Sequence, residues 1–401
     1  MAFVPNEQQA QALEDGVHWW NHSRSATNNK FGVTGLAGTG KTSTAEALLE
    51  AIGITEQTAL IAPTWKAARV LRHRTGRNTG SIHSLIYLPK GDALTELRIA
   101  LGEEMARPDP CEEAIAALQS EMDELQSLAG DLEFVLNPMM DKKLHNIRAI
   151  LLDEASMTGE DIGADLESLE VPLILLYDPF QLPPVKAKFA WENFNPNVFL
   201  TQIMRTGDGS GVPLAAADIR YGRPLKSYGE DFRIVPKGNL SFKNYSEEFD
   251  LIICGTNKVR RRMNDGIRAV RGLPSYPVIG DKVISLNNQD NGISNGEVFT
   301  IEKINTMTPR IINFDLIDGF GNKFRHVKAW REVFEDDSKG FRAPLGIGQF
   351  TYGYAMTAHK AQGSEAPRVC VLDDWRGSDY DRWLYTAITR ASKNCVFISD
   401  R

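Results

Sequence analysis

Four apolar runs in the first half of the chain end in the same way, each giving out onto polar residues. Phe31–Thr34 leads into Gly35-Leu-Ala-Gly-Thr-Gly40, Thr58–Ala62 into Pro63-Thr64, Arg148–Leu152 into Asp153-Glu154, and Pro172–Tyr177 into Asp178-Pro-Phe-Gln181. Short apolar runs without alternation read as strands covered on both faces, as in a parallel sheet. Ala45, Leu48, Leu49 and Ile52 follow the first run at helical spacing, so strand, helix and strand succeed one another. The order predicts an α/β domain whose strand ends share one edge, where sites are built.

Two stretches depart from this pattern. Residues 92–129 are rich in Ala, Leu and Glu, are broken by Pro108-Asp-Pro110, and carry a helical stripe of Ala117, Leu118, Met122, Leu125 and Leu128. They read as a helical hairpin inserted into the parent domain, a solvated excursion without a catalytic part. A second α/β segment starts at Phe249–Cys254, runs into Gly255-Thr256-Asn257, and returns at Val369–Leu372 and Cys395–Ile398. Between these, Gly280–Leu286, Glu297–Glu302 and Arg310–Leu316 alternate or run apolar, with turn signals at Asn295-Gly296 and Asp318-Gly319. They predict a small antiparallel β-module.

The loop after the first strand fits the spacing G-x-x-x-x-G-K-[ST]. Gly35, Gly38 and Gly40 permit backbone conformations that a Cβ would obstruct, so successive N–H groups can face an anion. Lys41 would reach the outer phosphates of a nucleotide and the Thr42 hydroxyl would ligate Mg²⁺, with the helix N-terminus aimed at the anion. The nucleotide site is thus read over Gly35, Ala37, Gly38, Thr39, Gly40, Lys41, Thr42 and Ser43. At neighbouring strand ends, Asp153 would hold the metal, Glu154 would orient or polarise the attacking water, and Gln181 would contact the γ-phosphate and that water.

Composition narrows the class without deciding it. With 401 residues and 42% apolar composition the chain can bury more than one core. No long uncharged apolar run and no signal-peptide pattern are present, so a soluble, cytoplasmic protein without membrane contact is expected. Cys111, Cys254, Cys370 and Cys395 form no C-x-x-C pair and read as reduced core or surface residues. His18 and His22 lack an acidic partner or third ligand and read as a solvated helix face rather than a metal pair. A net charge of −7 does not advertise nucleic-acid binding, although it permits a local basic channel.

Read in order, the motifs resemble those of superfamily 1 helicases, most closely the Dda/RecD-like (superfamily 1B) branch. They are Gly35-Leu-Ala-Gly-Thr-Gly-Lys-Thr42, Ala62-Pro-Thr-Trp-Lys-Ala-Ala68, Ser81-Ile-His-Ser84, Leu152-Asp-Glu-Ala-Ser156 and Asp178-Pro-Phe-Gln-Leu-Pro-Pro-Val185. Leu200-Thr-Gln-Ile-Met-Arg205, Thr357-Ala-His-Lys-Ala-Gln-Gly-Ser-Glu365 and Leu384-Tyr-Thr-Ala-Ile-Thr-Arg390 continue the series. The resemblance implies an α/β fold of two RecA-like P-loop domains, with an inserted pin and helical segment in the first and an SH3-like β-module in the second. The first domain would take residues 1–85 and 139–198 around a pin region at 86–138; the second would take 199–275 and 350–401 around the module at 276–349.

It also implies roles. Gln9, with Asn6 before it as a helix cap, stands where the family reads adenine, an edge that an amide can both donate to and accept from. Arg205 and Arg390 correspond to two arginine fingers, and Glu365 to the residue on the nucleotide ribose. Pro63, Thr64, Trp65, His83 and Phe134 in the first domain, and Thr256, Asn257, Thr357, His359 and Lys360 in the second, fall where the family contacts a single strand. The expected activity is ATP- and Mg²⁺-dependent unwinding of DNA by a monomer, its partners being single-stranded DNA and duplex junctions. A single-strand-binding protein or replisome component is a further candidate partner. Travel from 5′ to 3′ rests on the resemblance alone. A translocase that strips proteins from single strands with little unwinding is the alternative within the family. A small-molecule phosphotransferase is the alternative outside it, and would need neither Arg390 nor Lys360-Ala-Gln-Gly363. Two departures stand out: Tyr177 replaces the usual glycine before Asp178 and would crowd that turn, and the helical segment interrupts the pin, whose flanks Leu85–Leu88 and Leu132–Leu136 read as its two strands.

Overall fold

The computed structural model describes the chain except residues 1–2, 26, 37, 106–108, 110, 128–133, 139, 186, 203–210, 290–291, 338–346 and 401. The chain forms two compact units. One comprises Met1–Thr34, Lys41–Tyr177 and Lys186–Phe199; the other comprises Gly35–Gly40, Asp178–Val185 and Leu200–Arg401.

In the first unit the strands are β1 (Lys30–Gly35), β2 (Thr58–Ala62), β3 (Thr79–Ser81), β4 (Tyr87–Pro89), β5 (Phe134–Leu136), β6 (Ala149–Leu152), β7 (Leu173–Tyr177) and β8 (Val198–Leu200). Six of them make one sheet in the order β3-β2-β6-β7-β1-β8. The four apolar runs are β1, β2, β6 and β7, and β2-β6-β7-β1 are neighbours in parallel pairing. Ile150, Leu151 and Leu152 are wholly buried, which is why their stretch shows no alternation. Parallel pairing carries the polar residues that follow each strand to the same edge.

β4 and β5 form a separate two-stranded antiparallel ribbon in which Tyr87 pairs with Leu136 and Pro89 with Phe134. The expected first flank is shortened: Leu85 and Ile86 belong to the Ile82–Ile86 helix, because the Ser81 side chain caps it by accepting from Ser84 N at 3.1 Å. Residues 132–133 of the other flank lie outside the described residues. The inserted segment forms helices Lys90–Met105 and Glu112–Ser127, which pack on each other. The stripe is only partly covered: Leu118, Met122 and Leu125 are half-buried and Ala117 is exposed, while Leu128 lies outside the described residues. Firmer anchorage comes from the other helix, whose Ala93 and Leu97 are fully buried. Tyr177 does not crowd its turn. Its ring points into the core and meets Phe189 at 5.2 Å, because a buried β7 alternates its side chains and places this one inward.

The second unit adds β9 (Phe232–Val235), β10 (Leu251–Cys254), β11 (Lys282–Ser285), β12 (Val298–Met307), β13 (Ile311–Asp318), β14 (Lys323–Trp330), β15 (Phe350–Tyr352), β16 (Ala355–Thr357), β17 (Ala366–Leu372) and β18 (Ala391–Ile398). A parallel sheet runs β16-β10-β17-β18-β9. An antiparallel sheet runs β14-β13-β12-β11-β15 and realises the predicted β-module with two strands, β14 and β15, that periodicity did not reveal. Asp281, just before β11, receives a buried ion pair from Arg268 of the Asn257–Val270 helix and a hydrogen bond from the Tyr354 hydroxyl at 2.7 Å. Such a pair offsets its desolvation only when both ions are further bonded, as here where Arg268 also donates to the Tyr276 carbonyl at 2.8 Å. Cys254, Cys370 and Cys395 are buried, with thiols pushed up by burial, and Cys111 is exposed; none is bridged. Among the described residues no helix is long and apolar enough to cross a membrane.

Candidate nucleotide and nucleic-acid sites

The glycine-rich loop has the backbone its composition asks for. Gly38 and Gly40 adopt φ of +82° and +81°, the left-handed region that favours glycine. A Cβ on Gly35 would come within 2.5 Å of the Leu200 carbonyl oxygen. Thr39 closes the loop on itself, its hydroxyl donating to the Leu36 carbonyl at 2.9 Å. Lys41, Thr42 and the exposed Ser43 open the Lys41–Ala51 helix, whose first-turn N–H groups carry the positive end of its dipole. Ala37 lies outside the described residues.

From β6 the chain delivers Asp153 and Glu154. Thr42 Oγ1 donates to Asp153 Oδ2 at 3.3 Å, and Asp153 is buried. Burial, and the Glu154 carboxylate beside it, push the Asp153 carboxyl above the usual carboxylate range, against the pull of Arg74 and Lys41. A buried hydroxyl–carboxylate pair of hard oxygen donors suits a hard divalent cation. Among the described residues no group of three or more His, Cys, Asp or Glu could hold a metal. Two protein ligands are what Mg²⁺ uses when phosphate oxygens and waters complete its shell, so the residues fit a Mg²⁺–nucleotide rather than a caged metal. Glu154 sits at φ +54°, an uncommon conformation for a residue with a side chain, and is only half-buried.

Gln181 reaches its place through a network that no local pattern reveals. Its segment, residues 178–185, is held within the second unit: Leu182 N donates to Thr386 Oγ1 at 2.9 Å, Gln362 Nε2 donates to the Leu182 carbonyl at 2.8 Å, and the Tyr385 hydroxyl donates to Asp178. The Gln181 Oε1 atom is buried with no partner among the described residues. The same Thr386 accepts from Arg390 Nε through its carbonyl at 3.0 Å. Arg390 is pinned further by Thr389 Oγ1 at 3.1 Å and the Ser364 carbonyl at 3.4 Å. The segment that carries Gln181 and the Arg390 side chain are therefore both bonded to Thr386 of one helix, with Thr386, Tyr385 and Gln362 as supporting residues that sequence reasoning left without a role. Arg205 lies outside the described residues. Asn6 caps the Glu7–His18 helix, and the Gln9 side-chain oxygen accepts from Asn6 N at 3.0 Å, so that amide oxygen already serves a capping box. Glu365 is exposed.

The expected strand contacts fall on both units. In the first, Pro63 and Thr64 are half-buried, and Thr64 caps the Trp65–Thr75 helix by accepting from Ala67 N at 3.2 Å. Trp65 and Phe134 are 40% and 52% exposed, unusual for rings of their size and open to stacking, and His83 is exposed on its short helix. In the second, Asn257 is exposed, Thr357 is buried at the end of β16, and His359 and Lys360 are half-buried beyond it. The Thr256 hydroxyl is already engaged: it donates to Asp374 at 2.9 Å and accepts from Val259 N at 3.3 Å.

Burial, with Arg260 nearby, pushes the Lys360 ammonium down to about 8, against the pull of Asp337. Such a lysine is charged below that value and neutral above it, so a phosphate contact through it is lost as pH rises. Single-strand affinity by fluorescence anisotropy is expected to weaken severalfold between about pH 7 and about pH 9, and Lys360→Arg to flatten the profile. A wild-type affinity indifferent to pH over that window removes Lys360 from the contact set.

Comparison with known proteins places these features in company. A model of the AAA domain family matches residues 6–234, and one of the UvrD-like helicase C-terminal domain matches residues 352–398. The chain is 26% identical to the ATP-dependent RecD2 DNA helicase of Deinococcus radiodurans over 90% of its own length and 45% of that protein, so it spans about half of this curated relative. The solved structure of Bacteroides Pif1 bound to single-stranded DNA is similar with a TM-score of 0.60 at 17% identity, covering 99% of this chain and 93% of that one. A structure of two Pif1 helicases coordinating at forked duplex DNA is similar with a TM-score of 0.56 at 18% identity, covering 99% and 92%. At such identities the likeness is one of fold, the two-domain RecA-like architecture.

Proposed function

Because the chain belongs to the AAA domain family, in the Dda/RecD-like branch of the superfamily 1 helicases, we propose that it is an ATP-driven motor that moves on single-stranded DNA and unwinds duplex DNA. The observation that carries this reading is the shared anchorage on Thr386 of the segment that carries Gln181, through Leu182 N, and of the Arg390 guanidinium. A protein that only binds nucleotide has no use for fastening the segment of a water-orienting amide and a buried guanidinium to one residue. A motor does, because hydrolysis must be timed to a conformational step.

In this reading Lys41 and the loop N–H groups hold the phosphates, and Thr42 and Asp153 would hold Mg²⁺, whose charge would offset that of the phosphates. Glu154 takes the proton of the attacking water, Gln181 orients that water, and Arg390 meets the charge on the transferred group. Trp65 and Phe134 offer rings to bases, while Asn257, Thr357, His359 and Lys360 face backbone phosphates, giving grip without sequence readout. We assign residues 276–349, completed by strand β15, to an SH3-like module and the β4–β5 ribbon to the pin at which strands part.

Two assays test this in order. ATP turnover is expected to rise strongly on addition of single-stranded DNA; turnover indifferent to DNA would sink the motor. A duplex with an overhang at one end only, offered in both polarities, is expected to be opened from the 5′ overhang. Efficient displacement from a 3′ overhang alone would overturn the direction of travel and leave the motor standing.

A further inference from the structure

The loop from Asp373 to Asp379, between β17 and the Tyr380–Ile388 helix, belongs to none of the motifs above, yet it touches both kinds of residue that a motor must connect. At one end Asp374 fixes the turn after β10. Its carboxylate accepts from Gly255 N at 2.5 Å, from Thr256 N at 3.0 Å and from the Thr256 hydroxyl at 2.9 Å. Three donors on one carboxylate hold the start of the Asn257–Val270 helix, where the strand contact Asn257 stands. Trp375 lies against the same turn so closely that a Cβ on Gly255 would come within 2.9 Å of the Trp375 Cβ.

The Trp375 ring continues the connection. Its edge contact with His359 has a centroid separation of 5.8 Å, and it stacks on Trp383 at 6.4 Å with the planes 18° apart. Its indole N–H donates to Asp379 Oδ1 at 2.8 Å, and the Asp379 carbonyl accepts from Trp383 N at 2.9 Å. Trp383 is fully buried in the helix that carries Thr386 and leads to Arg390, so a shift at its ring is passed to a rigid rod about 13 Å long. The loop base cannot yield freely, because buried Asp373 is bonded to Arg376, the Tyr380 hydroxyl and the Ser399 hydroxyl.

We propose that Asp374 and Trp375 are positioning residues that couple single-strand binding to hydrolysis. Asp374 sets the Asn257 turn, and Trp375 relays the position of His359 and that turn through Trp383 to the helix that places Gln181 and Arg390. This rests on the function proposed above and adds the means by which DNA would stimulate turnover. The element is a packed two-ring contact rather than a hinge, so it transmits displacement instead of absorbing it.

The test separates coupling from folding and from grip. ATP turnover is measured with no DNA and with saturating single-stranded DNA in wild type, Trp375→Ala, Trp375→Phe and Asp374→Asn, with thermal melts in parallel. Trp375→Ala is expected to lose about tenfold in DNA-stimulated kcat while its DNA-free rate and KM for ATP stay within about twofold. Trp375→Phe keeps a ring on Trp383 and is expected to recover most of the loss. Asp374→Asn, which keeps the side chain's shape, is expected to raise the DNA concentration for half-maximal stimulation and to lower its plateau. A Trp375→Ala protein with full kcat at saturating DNA, or one whose DNA-free and DNA-stimulated rates fall together, overturns the proposal. If Trp375→Ala does not fold, Asp374→Asn decides, and an unchanged plateau there overturns the proposal equally. A wild-type protein without DNA stimulation would instead remove the motor reading itself.

Discussion

Glu154→Gln is expected to bind ATP with near wild-type affinity and to hydrolyse it at least about 10²-fold more slowly at saturating single-stranded DNA. The carboxylate and the amide have the same shape, so the left-handed backbone at φ +54° and the bond from Glu154 N to Asp153 Oδ1 at 2.9 Å are kept. What is lost is the capacity to take a proton. Asp153 is not expected to substitute, since its buried carboxylate accepts from Thr42 and is the ligand proposed for the metal. Asp153 is raised first by burial and then by the Glu154 carboxylate; removing the latter leaves Asp153 no harder to ionise, so metal affinity should not fall with the rate. Nucleotide affinity is read with a fluorescent ATP analogue and turnover by phosphate release. Near-normal DNA-stimulated turnover in this variant would strip Glu154 of its role and move the search for a base to another group.

How much of this was readable beforehand depended on the range of the interactions. β1, β2, β6 and β7 stand out because strands buried on both faces write their burial directly into consecutive residues. β3 and β16 are three residues each and carry no period to detect, and β14 runs Lys-Phe-Arg-His-Val-Lys-Ala-Trp with only one face covered. The loop glycines and the Asn6 cap are local chemistry, and sequence is good at local chemistry. The bonds that place Gln181 are not local: Leu182 meets Thr386 across 204 residues and Gln362 across 180. Thr386 is an ordinary threonine until the fold sets it between two functional segments. The Thr256 hydroxyl shows the reverse case, where a motif suggests a ligand contact and the structure shows the group already engaged by Asp374 and Val259. The orientation of Tyr177 was also beyond pattern reading, because whether a large side chain crowds a turn or fills a core depends on the pocket awaiting it.

Arg390→Ala is expected to lose about 10³-fold or more in DNA-stimulated kcat and to keep its affinity for single-stranded DNA. Arg390 is only 5% exposed, and the held geometry of its guanidinium is the reason for both halves of the expectation. Three bonds, to the Thr386 carbonyl, Thr389 Oγ1 and the Ser364 carbonyl, fix the plane without placing a carboxylate against it. The positive charge is therefore positioned but not neutralised by those partners, as a group must be if it is to meet charge that develops only during reaction. Asn257, a proposed strand contact, accepts from Arg260 Nε at 3.1 Å and need not move when the Arg390 side chain is truncated. Truncation removes the guanidinium from the Ser364 carbonyl, at a cost of about 1–3 kcal/mol if it stays buried, while the Thr386 carbonyl keeps the Thr389 hydroxyl at 3.1 Å, so a modestly lowered Tm is expected with the lost rate. Arg390→Lys separates the two effects. It restores a cation and one donor but cannot satisfy three acceptors from one plane, so it should melt close to wild type while remaining slow. If Arg390→Ala loses single-strand affinity and keeps its turnover at saturating DNA, the guanidinium serves the strand and not the nucleotide. Thr386 would then have to be explained as a packing contact, since the pairing of Gln181 with a reaction-facing arginine would be gone.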